Sequence, residues 1–328
     1  LHERAREYVA KIMSMLREAP ADASRAARDP EDVADAVFSI LTSREFCYLG
    51  RTKTEPYRGD AVRSLAGDIR AGEPVRFYYD IGAGYHASVE PETSGLVFSA
   101  GFSELCVLAQ VSSFCNRVTE VHAPGARFIL VIDNVCGLVT NDIPLDRTTG
   151  YGTELRALID ETGLGARVGV LVESEEFAPT DYALDRARLS RDAAALQPSR
   201  DDVDNVSRFL GRPCDVAEAA ERMAKYRQAG EMTEHNLGRV VRGVRMTQRA
   251  TGGTLGFRPF PGGDSRTQVG EVALAVNAKG AIHPVLLTSR NVGRYRRTRI
   301  EFPRLLPPTV THVTLAEPVD SAARHDGK

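Results

Sequence analysis

The chain has 328 residues, with 42% hydrophobic and 26% charged content, an ordinary balance for a globular protein with room for one large domain or two modest ones. A net charge of −2 argues against wholesale nucleic-acid binding, which calls for a basic excess, and no run of about 18 apolar residues is present to span a membrane. The five cysteines (Cys47, Cys106, Cys115, Cys136, Cys214) contain no C-x-x-C pair and are scattered through apolar segments, as expected of reduced core thiols in a cytoplasmic protein without structural zinc.

In chain order, residues 2–17 and 30–43 carry helical periodicity, and Asp29-Pro30 is a start signal for the second. A shorter helix follows over 58–71, then a buried strand over 75–81. Residues 82–101, rich in Gly, Ser and Pro, read as a loop. Residues 102–122 form a long helix with Glu104 in its first turn and Leu108, Val111, Cys115 and Val118 on one stripe, stopped by Ala123-Pro124-Gly125. The apolar runs 128–132 and 167–172 read as parallel strands covered on both faces, with a helix near 152–161 between them. Residues 180–230 are helical and highly charged, a solvated excursion or lid. After 240 the pattern turns to strands: "VRGVRMTQR", a turn-rich loop, and a hairpin with its turn at Ala278-Lys279-Gly280.

These alternations predict a Rossmann-like, mostly parallel α/β fold. The expected division is a helical segment 1–72, an α/β core 73–178, a helical insertion 179–238, and a β-rich part 239–328 that completes a cleft.

The stretch "DIGAGYHAS" (80–88) has the letters of an S-adenosylmethionine or dinucleotide loop. Its context does not fit: His86 stands at the third glycine position, and Pro91 and Gly95 disfavour a helix directly after it. The next strand-end acid, Asp133, is also too distant to take the ribose hydroxyls. A substrate-side loop at a strand end is expected instead, presenting Asp80, His86 and Ser88. Asp133 ends the neighbouring strand on the same rim, where a carboxylate after an apolar run either caps a helix or meets a ligand. The basic cluster "RNVGRYRRTR" (Arg290, Arg294, Arg296, Arg297, Arg299) is either a solvated edge strand or an electrostatic funnel for an anion. One tyrosine among its arginines is a thin platform for RNA.

The segment beginning "GFSELCVLAQVSSFCNRVTEVHAPGARFILVIDNVCGLVTNDIPLDRTTGYG" resembles the central part of the isocyanide (isonitrile) synthases, the pyoverdine/dityrosine biosynthesis family. Glu104 matches that family's acidic helix start, and Pro124-Gly125-Ala126 its helix stop. Asp133 and Asp142 match two acids that follow, and Tyr151 a tyrosine. "VRFYYDIGAGYHAS" occupies the place of a strand and a Lys-Ser-Pro-Asn loop, with Ser88 at the serine. "GVRMTQRA" stands for an Arg-Leu-Ser-x-His-Pro strand, with Arg245 at the arginine and Thr247 at the serine. "RTQVGEVALAVNAKGAIHPVLL" stands for Thr-Pro-Trp-His and a hairpin, with Thr267 at the threonine. The departures are Ala87 for the lysine, Asn134 for the glycine after Asp133, Arg249 for the histidine, and Val269-Gly270 for Trp-His.

The resemblance implies an enzyme of specialised metabolism that joins an amino-acid amine to one carbon of a phosphorylated sugar of the ribulose 5-phosphate type, with no metal or redox cofactor. It makes Asp133, Glu104 and His86 the catalytic candidates. Arg245, Arg249, Ser88, Thr267 and Asp80 become the substrate-binding candidates. A non-catalytic ligand-binding protein of the same fold, or a methyltransferase using the 80–86 loop, are the alternatives.

Overall fold

Ala5, Val9, Ile12 and Leu16 recur at helical spacing and form the buried face of α1 (His2–Arg17). Asp29 accepts a 2.8 Å hydrogen bond from the Glu31 amide and, with Pro30 at the first helical position, starts α2 (Pro30–Leu41). α3 (Arg58–Arg70) leads into β1 (Val75–Asp80). The structure is a computed structural model that describes residues 1–19, 29–47, 54–81, 88–89, 96–210, 212–247, 255–257, 271–276, 281–287 and 292–319.

After β1 the chain passes through a short hairpin, β2 (Ser88–Val89) and β3 (Leu96–Val97), inside the segment read as loop. The residues directly after Ile81, on which the nucleotide-loop reading turns, lie outside the described residues. α4 (Phe102–Thr119) follows, and Gly125, at φ 76°, turns the chain into β4 (Ala126–Ile132). The sequence did not announce α5 (Asn134–Asn141), and α6 (Leu145–Glu161) starts earlier than expected. β5 (Val168–Val172), α7 (Glu173–Glu176), α8 (Arg186–Ala195), α9 (Arg200–Leu210) and α10 (Val216–Val240) complete the first two thirds. β6 (Val244–Thr247), β7 (Leu255–Gly256), β8 (Glu271–Val276), β9 (Ile282–Leu287), β10 (Tyr295–Ile300) and β11 (Val313–Pro318) make up the rest.

The main sheet has the order β5-β4-β1-β6-β7 with every pairing parallel. The chain therefore winds outward from β1 to β5, then returns over α8–α10 to place β6 on the other side of β1. Right-handed crossovers in opposite directions put their helices on opposite faces. Accordingly Phe77, Tyr79, Phe128, Leu130 and Ile132 pack in one core with α4 and α6. Tyr78, Ile129, Val131 and Leu171 pack in another with α5 and α10. The α/β expectation is met.

α10 is more than a solvated excursion. Its buried residues include Ala220, Ala224, Ala229 and Leu237, together with Gln228, Thr233 and Asn236, and it covers the second face of the sheet. The polar face hid that role.

The second sheet has the order β10-β11-β8-β9. Its β8 is tied to the start of α4 by a 2.8 Å hydrogen bond from the Val272 amide to the Ser103 hydroxyl. Arg296, Arg297 and Arg299 lie on β10, the edge strand, where Arg296 pairs with Glu317 at 2.7 Å. That is the charge-protected edge of the two readings of the cluster; Arg290 lies outside the described residues. None of the five cysteines is in a disulfide, and no described helix is long and apolar enough to cross a membrane.

Candidate functional site

The direction of winding reverses between β1 and β6, and in open parallel sheets the carboxyl ends of the strands at such a point form a crevice. Asp80 ends β1 there. Arg245 on β6 stands beside Tyr78 in register, so its side chain shares a face with Asp80 two residues further on. Its Nε and Nη2 donate to Asp80 Oδ2 at 3.0 and 2.7 Å, and its Nη1 lies 3.7 Å from Glu234 of α10. Asp80 Oδ1 is buried and has no hydrogen-bond partner among the described residues. Burial pushes the Asp80 carboxyl up, and the Arg245 guanidinium pulls it partly back.

β6 reaches this position because residue 243 is glycine. At φ 135° its Cα passes so close to β1 that a Cβ would stand 2.3 Å from the Arg76 carbonyl oxygen.

Asp133 follows β4 and occupies the N-cap position of α5, although its side chain makes no capping hydrogen bond. Glu173 follows β5 in the same way and is fully buried. Its Oε1 accepts from the Tyr182 hydroxyl at 2.5 Å, and its Oε2 from the Cys136 amide in the first turn of α5 at 3.1 Å. Burial, and secondly the charge of Asp133, push its carboxyl up to about 8. Asn134 locks the two strand ends together: its Oδ1 accepts from the Ser174 amide at 3.0 Å, and its Nδ2 donates to the Ser174 hydroxyl at 2.8 Å.

The Cys136 thiol lies among these acids and is pushed well up, first by burial and then by Asp133, Glu173 and Asp80. Three carboxylates from three adjacent strand ends therefore surround one spot. Of the three, Glu173 is the one whose carboxyl is pushed up to about 8.

Glu104 belongs to the other face. Its Oε2 accepts from the Gly101 amide at 2.8 Å and its Oε1 from the Tyr151 hydroxyl at 3.0 Å. Tyr151 is packed in the α4–α6 core. Burial pushes the Glu104 carboxyl to about 8. The sheet thus separates Glu104 from Asp133, and Glu104 holds the entry to α4.

Its titration has a consequence for stability. The unfolded carboxyl titrates near 4.5 and the folded one near 8, so between those pH values the native state binds the extra proton. Stability is full below that window and falls as pH rises through it. Glu173 contributes with the same sign. Urea unfolding followed from about pH 5 to about pH 9 should show the decline, by a few kcal/mol, and Glu104→Gln should make it shallower. An unaltered slope would remove Glu104 as its source.

The remaining sequence candidates divide simply. The backbone of Ser88 pairs with Val97, and His86, Arg249 and Thr267 lie outside the described residues. Glu173 was missed, although it is the first acid after an apolar strand, the signal that singled out Asp133. Tyr182 carried no such signal. Asp142 is the left-handed C-cap of α5, at φ 55°, with an exposed side chain.

No protein-family model matches the chain, and no curated protein matches it. Among solved structures, the PvcA protein from Pseudomonas aeruginosa matches over 86% of this chain and 99% of its own, with a TM-score of 0.62 and 17% identity. The chain has the PvcA fold. PvcA is a pyoverdine/isonitrile-synthase-family protein, so the fold implied by "GFSELCVLAQ" is the one found. Tyrosyl-tRNA synthetases from Archaeoglobus fulgidus and Aeropyrum pernix match at TM-scores of 0.33 and 0.27, each at 11% identity. They cover 77% and 66% of this chain and 70% and 60% of their own. Within this fold Asp80, Asp133 and Glu173 stand at the carboxyl ends of the adjacent strands β1, β4 and β5.

Proposed function

We propose that the chain is an isonitrile-synthase-like enzyme that condenses the amine of an amino acid with the carbonyl of a phosphorylated sugar. What supports this reading is the set of three carboxylates, Asp80, Asp133 and Glu173, at the ends of the adjacent strands β1, β4 and β5 of a PvcA fold, with Asp80 Oδ1 lacking a hydrogen-bond partner among the described residues. Asp80 Oδ1 is an acceptor for an ammonium N–H, and Arg245 positions it. An ammonium must lose a proton before it can attack, and Asp133 takes that proton. The freed lone pair bonds to the carbonyl carbon as the carbonyl oxygen takes the proton of Glu173. The nitrogen then returns one proton to Glu173. The hydroxyl leaves as water with the proton held by Asp133, and a protonated imine remains. General acid–base help of this kind contributes about 10²–10⁴ in rate.

In this proposal Arg249, Ser88 and Thr267 bind the phosphorylated sugar, and His86 is an auxiliary acid/base. Glu104, on the other face, is a positioning residue for the start of α4. The reading requires no metal and no redox cofactor.

The test is mass spectrometry of the protein incubated with ribulose 5-phosphate and a pool of amino acids. The expected product is an amino acid that has gained one carbon and lost two hydrogens. A different sugar-phosphate adduct would redirect the chemistry to another carbonyl–amine reaction. No product, with ligand binding retained, would favour a binding protein. Thermal stabilisation by S-adenosylmethionine would favour a methyltransferase.

A further inference from the structure

A cavity of about 470 Å³ lies on the α10 face of the main sheet, where α10 ends, and extends from the starts of β1 and β4 to Glu175 and Glu176 of α7. Ile129, Gly169 and Leu171 line it from the sheet, and Val240 and Val241 from the end of α10. Gly169 lies opposite Ile129 in the parallel register, and mid-strand it adds no side chain to the floor. Around this apolar floor stand Arg76, Arg127, Arg239 and Arg242, with Glu175 and Glu176. Two of these charges are already matched: Arg76 by Asp68, and Glu175 by a bidentate pair with Arg156 at 2.9 and 2.5 Å. Among the described residues, Arg127, Arg239, Arg242 and Glu176 form no ion pair. Three unmatched cations face one unmatched acid, an excess of two positive charges.

We infer that this cavity is a binding site for a small phosphate monoester with an apolar or planar body. A phosphate monoester carries a charge of about −1.5 to −2 at neutral pH, which balances the excess where a single carboxylate would not. Guanidinium groups meet phosphate oxygens in pairs and lie flat against planar groups. The volume falls in the range of small-molecule sites, about 300–1,000 Å³. The site is not the acidic rim. Its arginines are remote from that rim: Arg127, at the start of β4, is six positions before Asp133, about 20 Å at ~3.3 Å per residue, although Leu171 brings the cavity wall to two residues from Glu173. The inference does not depend on the reaction proposed above.

Calorimetric titration with adenosine 5′-monophosphate, with inorganic phosphate and with adenosine tests it. The nucleotide should bind saturably and more tightly than phosphate, adenosine should bind weakly, and raised salt should weaken the nucleotide. Arg127→Ala and Arg239→Ala should each weaken the nucleotide about tenfold, the loss of one charge-assisted contact. Gly169→Val, which fills the floor and leaves every charge in place, should also abolish tight binding. Asp133→Asn should leave it unchanged. Absence of saturable binding at low salt, or binding indifferent to the arginine substitutions, would overturn the assignment. Loss of binding in Asp133→Asn with retention in Arg127→Ala would place the anion at the rim instead, and would also overturn it.

Discussion

Gly243→Val should leave little or no stably folded protein. The new Cβ would stand 2.3 Å from the Arg76 carbonyl oxygen and 2.6 Å from its carbon, and backbone atoms cannot rotate away as a side chain can. The φ of 135° adds strain for any L side chain, about 1–3 kcal/mol. Relief requires β6 to move off β1. That movement would break the Arg245–Asp80 pair and leave a buried carboxylate uncompensated, a loss of about 3–5 kcal/mol. Against a total stability of about 5–15 kcal/mol, these effects together remove most or all of the margin. Gly230→Ala in α10, where nothing lies within 4 Å, is the control, and should be neutral or stabilising by up to about 1 kcal/mol. Urea unfolding of both variants reads the difference. A Gly243→Val midpoint equal to that of the unsubstituted chain would mean that β6 does not lie against β1.

Glu173→Gln should lower turnover of the amine and sugar phosphate by about 10²–10⁴, with a smaller effect on substrate affinity. Its carboxyl near 8 predicts a rate that falls as pH rises through that value and the acid loses its proton. The glutamine variant should lose this limb of the profile. Asp133→Asn should cut turnover by a similar factor and do something a structural residue would not. The Asp133 charge helps to push Glu173 up, so its removal should shift the surviving limb to lower pH. Equal limbs in the two proteins would separate Asp133 from Glu173 and undo the paired mechanism.

The parallel layer was legible because its central strands are continuous apolar runs, Phe128–Ile132 above all, and because Asp29-Pro30 and Pro124-Gly125 punctuate the helices. The place of β6 was not. Val244–Thr247 is only four residues long, and nothing local records that its partner is β1. α5 was hidden by the β-branched residues and Gly137 of "NVCGLVTN", which weaken helical periodicity. α10 was read as solvated because the face it turns to the sheet is built of alanines and polar side chains, among them Thr233 and Asn236. Of the site, the rule of a carboxylate closing an apolar strand found Asp133. Applied to the strand that ends at Val172, it would have found Glu173 as well. The Asp80–Arg245 bond joins two residues proposed separately as ligand contacts; their union depends on strand order, which no local pattern encodes.

That bond also spans 165 positions of the chain. Contacts between such distant positions form late and slow folding, because a long loop must close before they contribute. As the polypeptide leaves the ribosome, β4 and β5 can join β1 while the side of β1 that receives β6 still lacks its partner. That strand edge offers unpaired amide and carbonyl groups to neighbouring chains until residues 244–247 arrive. The pairing of Asp80 with Arg245 is thus among the last parts of the molecule to assemble. The unassembled interval is the stage at which a chaperone has most to shield.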